Sequence, residues 1–155
     1  MDDVDEIVRE FLVESLENLD QLDRDLVALE EDPGSRPLLS SVFRTIHTIK
    51  GTSGFLAFAR LERLTHVGES LLAELRDGRR SMDQRTTDVL LAMVDRVRDV
   101  LAAVDRDGTE GDVPIDDVVA ALEAVLAGGS EPEVAAPAPA PKRTAKKETA
   151  DGAGR

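Results

Sequence analysis

Apolar residues recur at spacings of three and four along most of the first 126 positions, and no stretch alternates apolar and polar as a half-buried strand does. From about Val4 to Glu31, the residues Ile7, Val8, Phe11, Leu12, Ser15, Leu19, Leu22, Leu26 and Leu29 form one stripe, the inward face of a long amphipathic helix. Asp32-Pro33-Gly34 breaks it, and Ser35 offers an N-cap hydroxyl to a second helix. That helix runs from about Arg36 to Gly54, with Leu39, Val42, Ile46, Ile49 and Ser53 inward. A third, about Phe58 to Arg76, turns Leu61, Leu64, Gly68, Leu71, Leu72 and Leu75 inward and stops at Asp77-Gly78. A fourth, about Asp83 to Asp105, carries Val89, Leu90, Met93, Val94, Val97, Leu101 and Val104, with Gly108 beyond its end. A shorter fifth spans about Pro114 to Leu126, with Ile115, Val118, Val119, Leu122 and Val125 inward. Four long amphipathic helices joined by short turns predict an all-α, antiparallel up-down four-helix bundle. The pattern leaves open whether the fifth helix packs on that bundle or drifts with the segment after it.

Composition changes abruptly at Gly128-Gly129. The segment beyond is rich in Ala, Pro and Lys, including Ala135-Ala136-Pro137-Ala138-Pro139-Ala140-Pro141. The expected division is therefore a helical bundle over 1–127 and a disordered linker over 128–155, toward a further domain. Residues 1–127 hold 14 basic against 28 acidic side chains, a net −14, so the bundle accounts for the chain's net charge of −13. That charge argues against nucleic acid or an anionic membrane as partner. There is no cysteine, which removes disulfides, thiolate metal sites and thiol catalysis. No stretch reaches the roughly 18 apolar residues of a membrane span, and the acidic start, Met1-Asp2-Asp3-Val4-Asp5-Glu6, is unlike a signal peptide. A cytoplasmic, monomeric bundle is the expectation.

The second helix carries the chemistry. His47 lies one step, about 100°, from the apolar stripe at Ile46, so its ring is expected to be packed at the base and open at the tip. Lys50 follows at three residues, and Gly51 and Gly54 at four and seven, all on the same flank. An interior helical glycine costs about 1 kcal/mol relative to alanine, so two beside one histidine suggest a face kept bare for a bulky approach. Close helix packing is the other reading of the same glycines. A nucleophilic imidazole needs one nitrogen free and the other protonated, with a carboxylate to hold that proton. The third helix offers Glu62, His66 and Glu69 on one stripe. Glu69 is the candidate that orients His47, Lys50 the cation that offsets an arriving phosphoryl group, and His66 a polar neighbour that tunes the pair. Phe43, Gly51, Gly54, Leu56 and Phe58 are candidates for a docking surface.

The run His47-Thr48-Ile49-Lys50-Gly51-Thr52-Ser53-Gly54, with Leu64-Thr65-His66-Val67-Gly68-Glu69 downstream, resembles histidine phosphotransfer (HPt) domains of the type at the N-terminus of the chemotaxis histidine kinase CheA. The resemblance covers roughly residues 1–107 and departs at Ala57, where the family often has glycine. It implies a helical bundle whose histidine, here His47, is phosphorylated by an ATP-binding kinase domain and passes the group to an aspartate of a response-regulator receiver domain. It also implies that the chain is a phospho-carrier in a two-component relay and not itself an enzyme. No cofactor is then expected on this chain, ATP and Mg being used by the kinase and receiver. A zinc site from His47, His66 and Glu69 lacks an evident fourth ligand, and no phosphate-binding loop motif occurs. The alternative of a different class is a noncatalytic helical adaptor that binds a partner protein.

Overall fold

The structure, a computed structural model, describes residues 3–128. Five helices make it up: α1 (Asp3–Glu31), α2 (Arg36–Phe55), α3 (Ala59–Arg76), α4 (Gln84–Asp107) and α5 (Asp116–Gly128), with no strand among the described residues. The connections 32–35, 56–58 and 77–83 are short enough to reverse the chain each time. Each of the first four helices packs on its sequence neighbours and α4 closes against α1, giving the expected four-helix bundle. The fifth helix does not drift. It lies against α3 and α4, burying Ile115, Val118, Val119, Leu122 and Val125. Of the linker expected over 128–155, Gly128 is the last residue of α5, and 129–155 lie outside the described residues.

The core is almost wholly aliphatic. Leu19, Leu22, Leu26 and Leu29 of α1 are buried with Ile46 and Ile49 of α2, Leu61, Leu64, Leu71 and Leu72 of α3, and Leu90 and Met93 of α4. Each such side chain contributes about 1.5–3 kcal/mol of apolar burial. Ser35 caps α2 by accepting from the Leu38 amide at 3.3 Å, and Asp83 caps α4 by accepting from the Thr86 amide at 2.8 Å. The start of α3 has no side-chain cap of its own. Glu110, from the α4–α5 connection, supplies one by accepting from the amides of Arg60 at 3.2 Å and Leu61 at 2.7 Å. A buried Arg80 ties the other end of α5 down, donating to the Leu126 carbonyl at 3.1 Å and to Glu74 at 3.1 Å.

Two backbone positions make sharp demands. At the end of α2, Phe58 N–H bonds to the Ser53 carbonyl and Ala57 N–H to the Gly54 carbonyl, a Schellman closure. It requires Ala57 at φ +64°, a region that disfavours residues bearing a Cβ. Ala57→Gly is expected to stabilise the fold by about 0.5–1 kcal/mol, after the added freedom of glycine in the unfolded chain is subtracted. Urea denaturation measures it, and a loss of stability would mean that alanine is unstrained there. At the α3–α4 crossing, a Cβ on Gly68 would sit 2.1 Å from the Sδ of the fully buried Met93. Gly68→Ala is expected to cost about 1–3 kcal/mol by overpacking. A double variant with Met93→Ala should lose less than the two single losses together; simple additivity would place the strain elsewhere.

Candidate functional site

α2 and α3 are neighbours in the ring, and their facing flanks assemble the site. His47 sits just off the buried stripe with its side chain 60% exposed. Its Nδ1 meets Oε2 of Glu69, which reaches across from α3. Lys50 Nζ donates to the other oxygen, Oε1, at 2.6 Å. One carboxylate thus holds the imidazole and the ammonium together. Its side chain is only 12% exposed, and burial pushes its carboxyl up. The hydrogen bonds and positive charges of Lys50 and His47 outweigh that, and the carboxyl sits below its ordinary value. Glu69 is therefore an acceptor only. A neutral His47 can meet it only through Nδ1–H, which leaves the Nε2 lone pair free at the exposed tip of the ring.

The glycines differ from one another. A Cβ on Gly51 would meet nothing within 4 Å, so no packing requires glycine there. A Cβ on Gly54 would lie 2.9 Å from the Glu62 carboxylate, the movable end of a flexible side chain. One helical turn beyond His47, the surface at Gly51 is backbone alone.

Other sequence candidates fall differently. His66 is exposed on α3; its ring makes no hydrogen bond among the described residues, and its carbonyl accepts from Ser70 Oγ at 3.2 Å. The structure does not bring it into the Glu69 pair. Phe58 must be reassigned from the docking surface to the core: it is 9% exposed and stacks on Phe11 at 6.1 Å, because the turn at Ala57 points it inward. Leu56 and Phe43 are half-buried. Phe55, eight residues after His47, is the most exposed large apolar side chain among the described residues, at 77%. Sequence reasoning also passed over Arg76. Its guanidinium carbon lies 4.0 Å above the Phe43 ring, and Phe43 in turn stacks on His47 at 5.8 Å with planes 10° apart. The available signal was spacing, since Arg76 follows Glu69 by seven residues on one flank of α3.

Among the described residues no three His, Cys, Asp or Glu side chains converge to hold a metal, and His47, His66 and Glu69 do not form such a set. Among the described residues no helix is long and apolar enough to cross a membrane.

Fold and site together define a histidine-presenting helical bundle of the phosphotransfer class. The chain belongs to the Hpt domain family, whose model matches residues 6–100. It is 40% identical over 110 residues to the sensor histidine kinase CheAY of Helicobacter pylori, a match that covers 71% of this chain and 14% of that protein. Among solved structures it resembles the histidine phosphotransfer domain of CheA (TM-score 0.70, 26% identity, covering 77% of this chain and 90% of that one). It also resembles the phosphorylated P1 domain of CheA3 in complex with CheY6 from R. sphaeroides (TM-score 0.74, 26% identity, 81% and 99% covered). The chain thus spans a small part of the length of the curated relative it matches.

Proposed function

We propose that this bundle is the phospho-carrier of a chemotaxis-type two-component relay and that His47 is its acceptor. The observation that carries the reading is the Glu69 carboxylate shared by His47 Nδ1 and Lys50, which leaves Nε2 as the free, exposed nitrogen. In the accepting step, Nε2 attacks the γ-phosphorus of ATP held by a histidine kinase domain. The N–P bond forms, the bond to the bridging oxygen breaks, and ADP departs with that electron pair. Positive charge grows on the ring as its lone pair is used, and Glu69 stabilises it. Lys50, one turn away, offsets the negative charge of the phosphoryl oxygens. In the donating step an aspartate carboxylate of a receiver domain attacks phosphorus and the N–P bond breaks. Mg and ATP belong to those partners. The chain itself binds no cofactor, touches neither nucleic acid nor membrane, and works as a cytoplasmic monomer.

The docking surface surrounds His47 on Gly51, Gly54, Leu56 and the exposed Phe55, with Phe43 at the base of the ring. Residues 1–127 form the carrier, and 128–155 act as the tether to a larger kinase. That a similar P1 domain is found in complex with CheY6 supports a receiver as the partner. The test is incubation with a CheA-type kinase domain and labelled ATP, followed by addition of a receiver domain. Acid-labile label that appears on this chain and then moves to the receiver supports the carrier. Absence of label from this chain favours the adaptor reading instead.

A further inference from the structure

Beyond the Glu69 contact, we infer that Phe43 and Arg76 form a second support for His47 and set the plane of its ring. The inference rests on the carrier reading and adds two positioning residues to it. A hydrogen bond at Nδ1 fixes one end of the imidazole, yet the ring can still rock about that bond. A flat surface beside the ring removes the remaining freedom. In a helix, side chains lean toward the N-terminus, so His47 leans toward Phe43, four residues earlier. The two rings lie 5.8 Å apart with planes within 10° of parallel. Phe43 is itself held, because the Arg76 guanidinium stacks at 4.0 Å from its centroid. Arg76 stands in the last turn of α3 and is steadied by its Nε donating to Asp77 Oδ1 at 3.1 Å.

The α3 helix therefore grips the histidine twice. Glu69 reaches it directly, and Arg76 reaches it through Phe43. Transfer in line with phosphorus is sensitive to the direction of the attacking lone pair, and small angular errors cost rate rather than affinity.

The experiment compares phosphorylation by a CheA-type kinase domain and ATP in the intact chain and four variants: Arg76→Ala, Phe43→Leu, both together, and Phe43→Tyr. Arg76→Ala and Phe43→Leu are each expected to lower kcat about threefold or more, Arg76→Ala at unchanged KM. The double variant should be no slower than Phe43→Leu alone, and Phe43→Tyr should restore the rate. Full activity of Arg76→Ala, or a double variant as slow as the product of the two singles, would overturn the proposal. A second readout does not depend on phosphorylation. NMR shifts of the His47 ring protons, displaced by the Phe43 ring current, should move in Arg76→Ala toward their values in Phe43→Leu. Unmoved shifts overturn the stack alone. A wild-type chain that takes no phosphate overturns the carrier reading itself, and with it any catalytic consequence of the stack.

Discussion

His47→Gln is expected to abolish uptake of acid-labile phosphate from a CheA-type kinase domain, while His66→Gln is expected to retain it within about twofold. Glutamine keeps roughly the size and polarity of the imidazole but has no basic nitrogen to bond to phosphorus, so the loss is chemical and complete. The side chain is 60% exposed and its only described hydrogen-bond partner is Glu69, so the substitution leaves the apolar core untouched. His66 differs because its ring is exposed and makes no hydrogen bond among the described residues. Surface changes of that kind stay within about 0.5 kcal/mol, a factor of roughly two in rate. Quantified label on both variants, with circular dichroism to confirm equal helicity, decides the matter. Label retained by His47→Gln would move the acceptor elsewhere.

Glu69→Ala should slow phosphorylation about 10–100-fold, since a hydrogen bond to a charged group is worth about 1.5–3 kcal/mol and each 1.4 kcal/mol is tenfold. Two losses combine in this variant. The tautomer is no longer specified, and Lys50 is released from its 2.6 Å contact. Glu69→Gln should fall between, because its amide oxygen still accepts from Nδ1–H but carries no charge. Acid stability provides an independent check. The folded carboxyl sits below its ordinary value of 4.5, so its contribution is fully present above that pH and is lost as pH falls through the lowered folded value. The stability gap between wild type and Glu69→Ala should accordingly narrow below about pH 4.5. A gap that widens on acidification would contradict the geometry, and a collapse of helicity at neutral pH would make Glu69 structural.

Much of this architecture was legible in the chain because long aliphatic stripes leave little choice of period. Ser35 and Asp83 start their helices as caps, and Gly78 and Gly108, at φ +78° each, stop theirs. The fifth helix begins two residues later than its apolar pattern suggests, since Pro114 and Ile115 precede the first helical turn while Ile115 still reaches the core. The pattern could not say that this helix docks; that depends on Arg80 and on Arg96, whose guanidinium donates to Asp117 at 2.7 Å. At the site, the local spacing of His47, Lys50, Gly51 and Gly54 pointed to the flank on which His47 and Lys50 meet Glu69, and antiparallel packing pointed to Glu69 itself. Phe58 was misread because a single left-handed residue, Ala57, reverses its direction, and nothing local marks an alanine for that role. The Phe43–Arg76 contact joins positions 33 apart, and Glu110 caps a helix about 50 positions earlier. Neither leaves a periodic trace.

With one nitrogen pinned by Glu69, the ring has a single open end. On the proposed carrier reading, donor and recipient must use that end in turn, never together, so every hand-off waits for the previous visitor to leave. Traffic of about ten events per second needs departures at least that fast. With typical encounter rates of about 10⁶–10⁷ M⁻¹s⁻¹, both visitors are held to dissociation constants no tighter than about 1–10 μM. Weak grip is thus a working requirement of such a carrier, and variants that tighten it should throttle the flow.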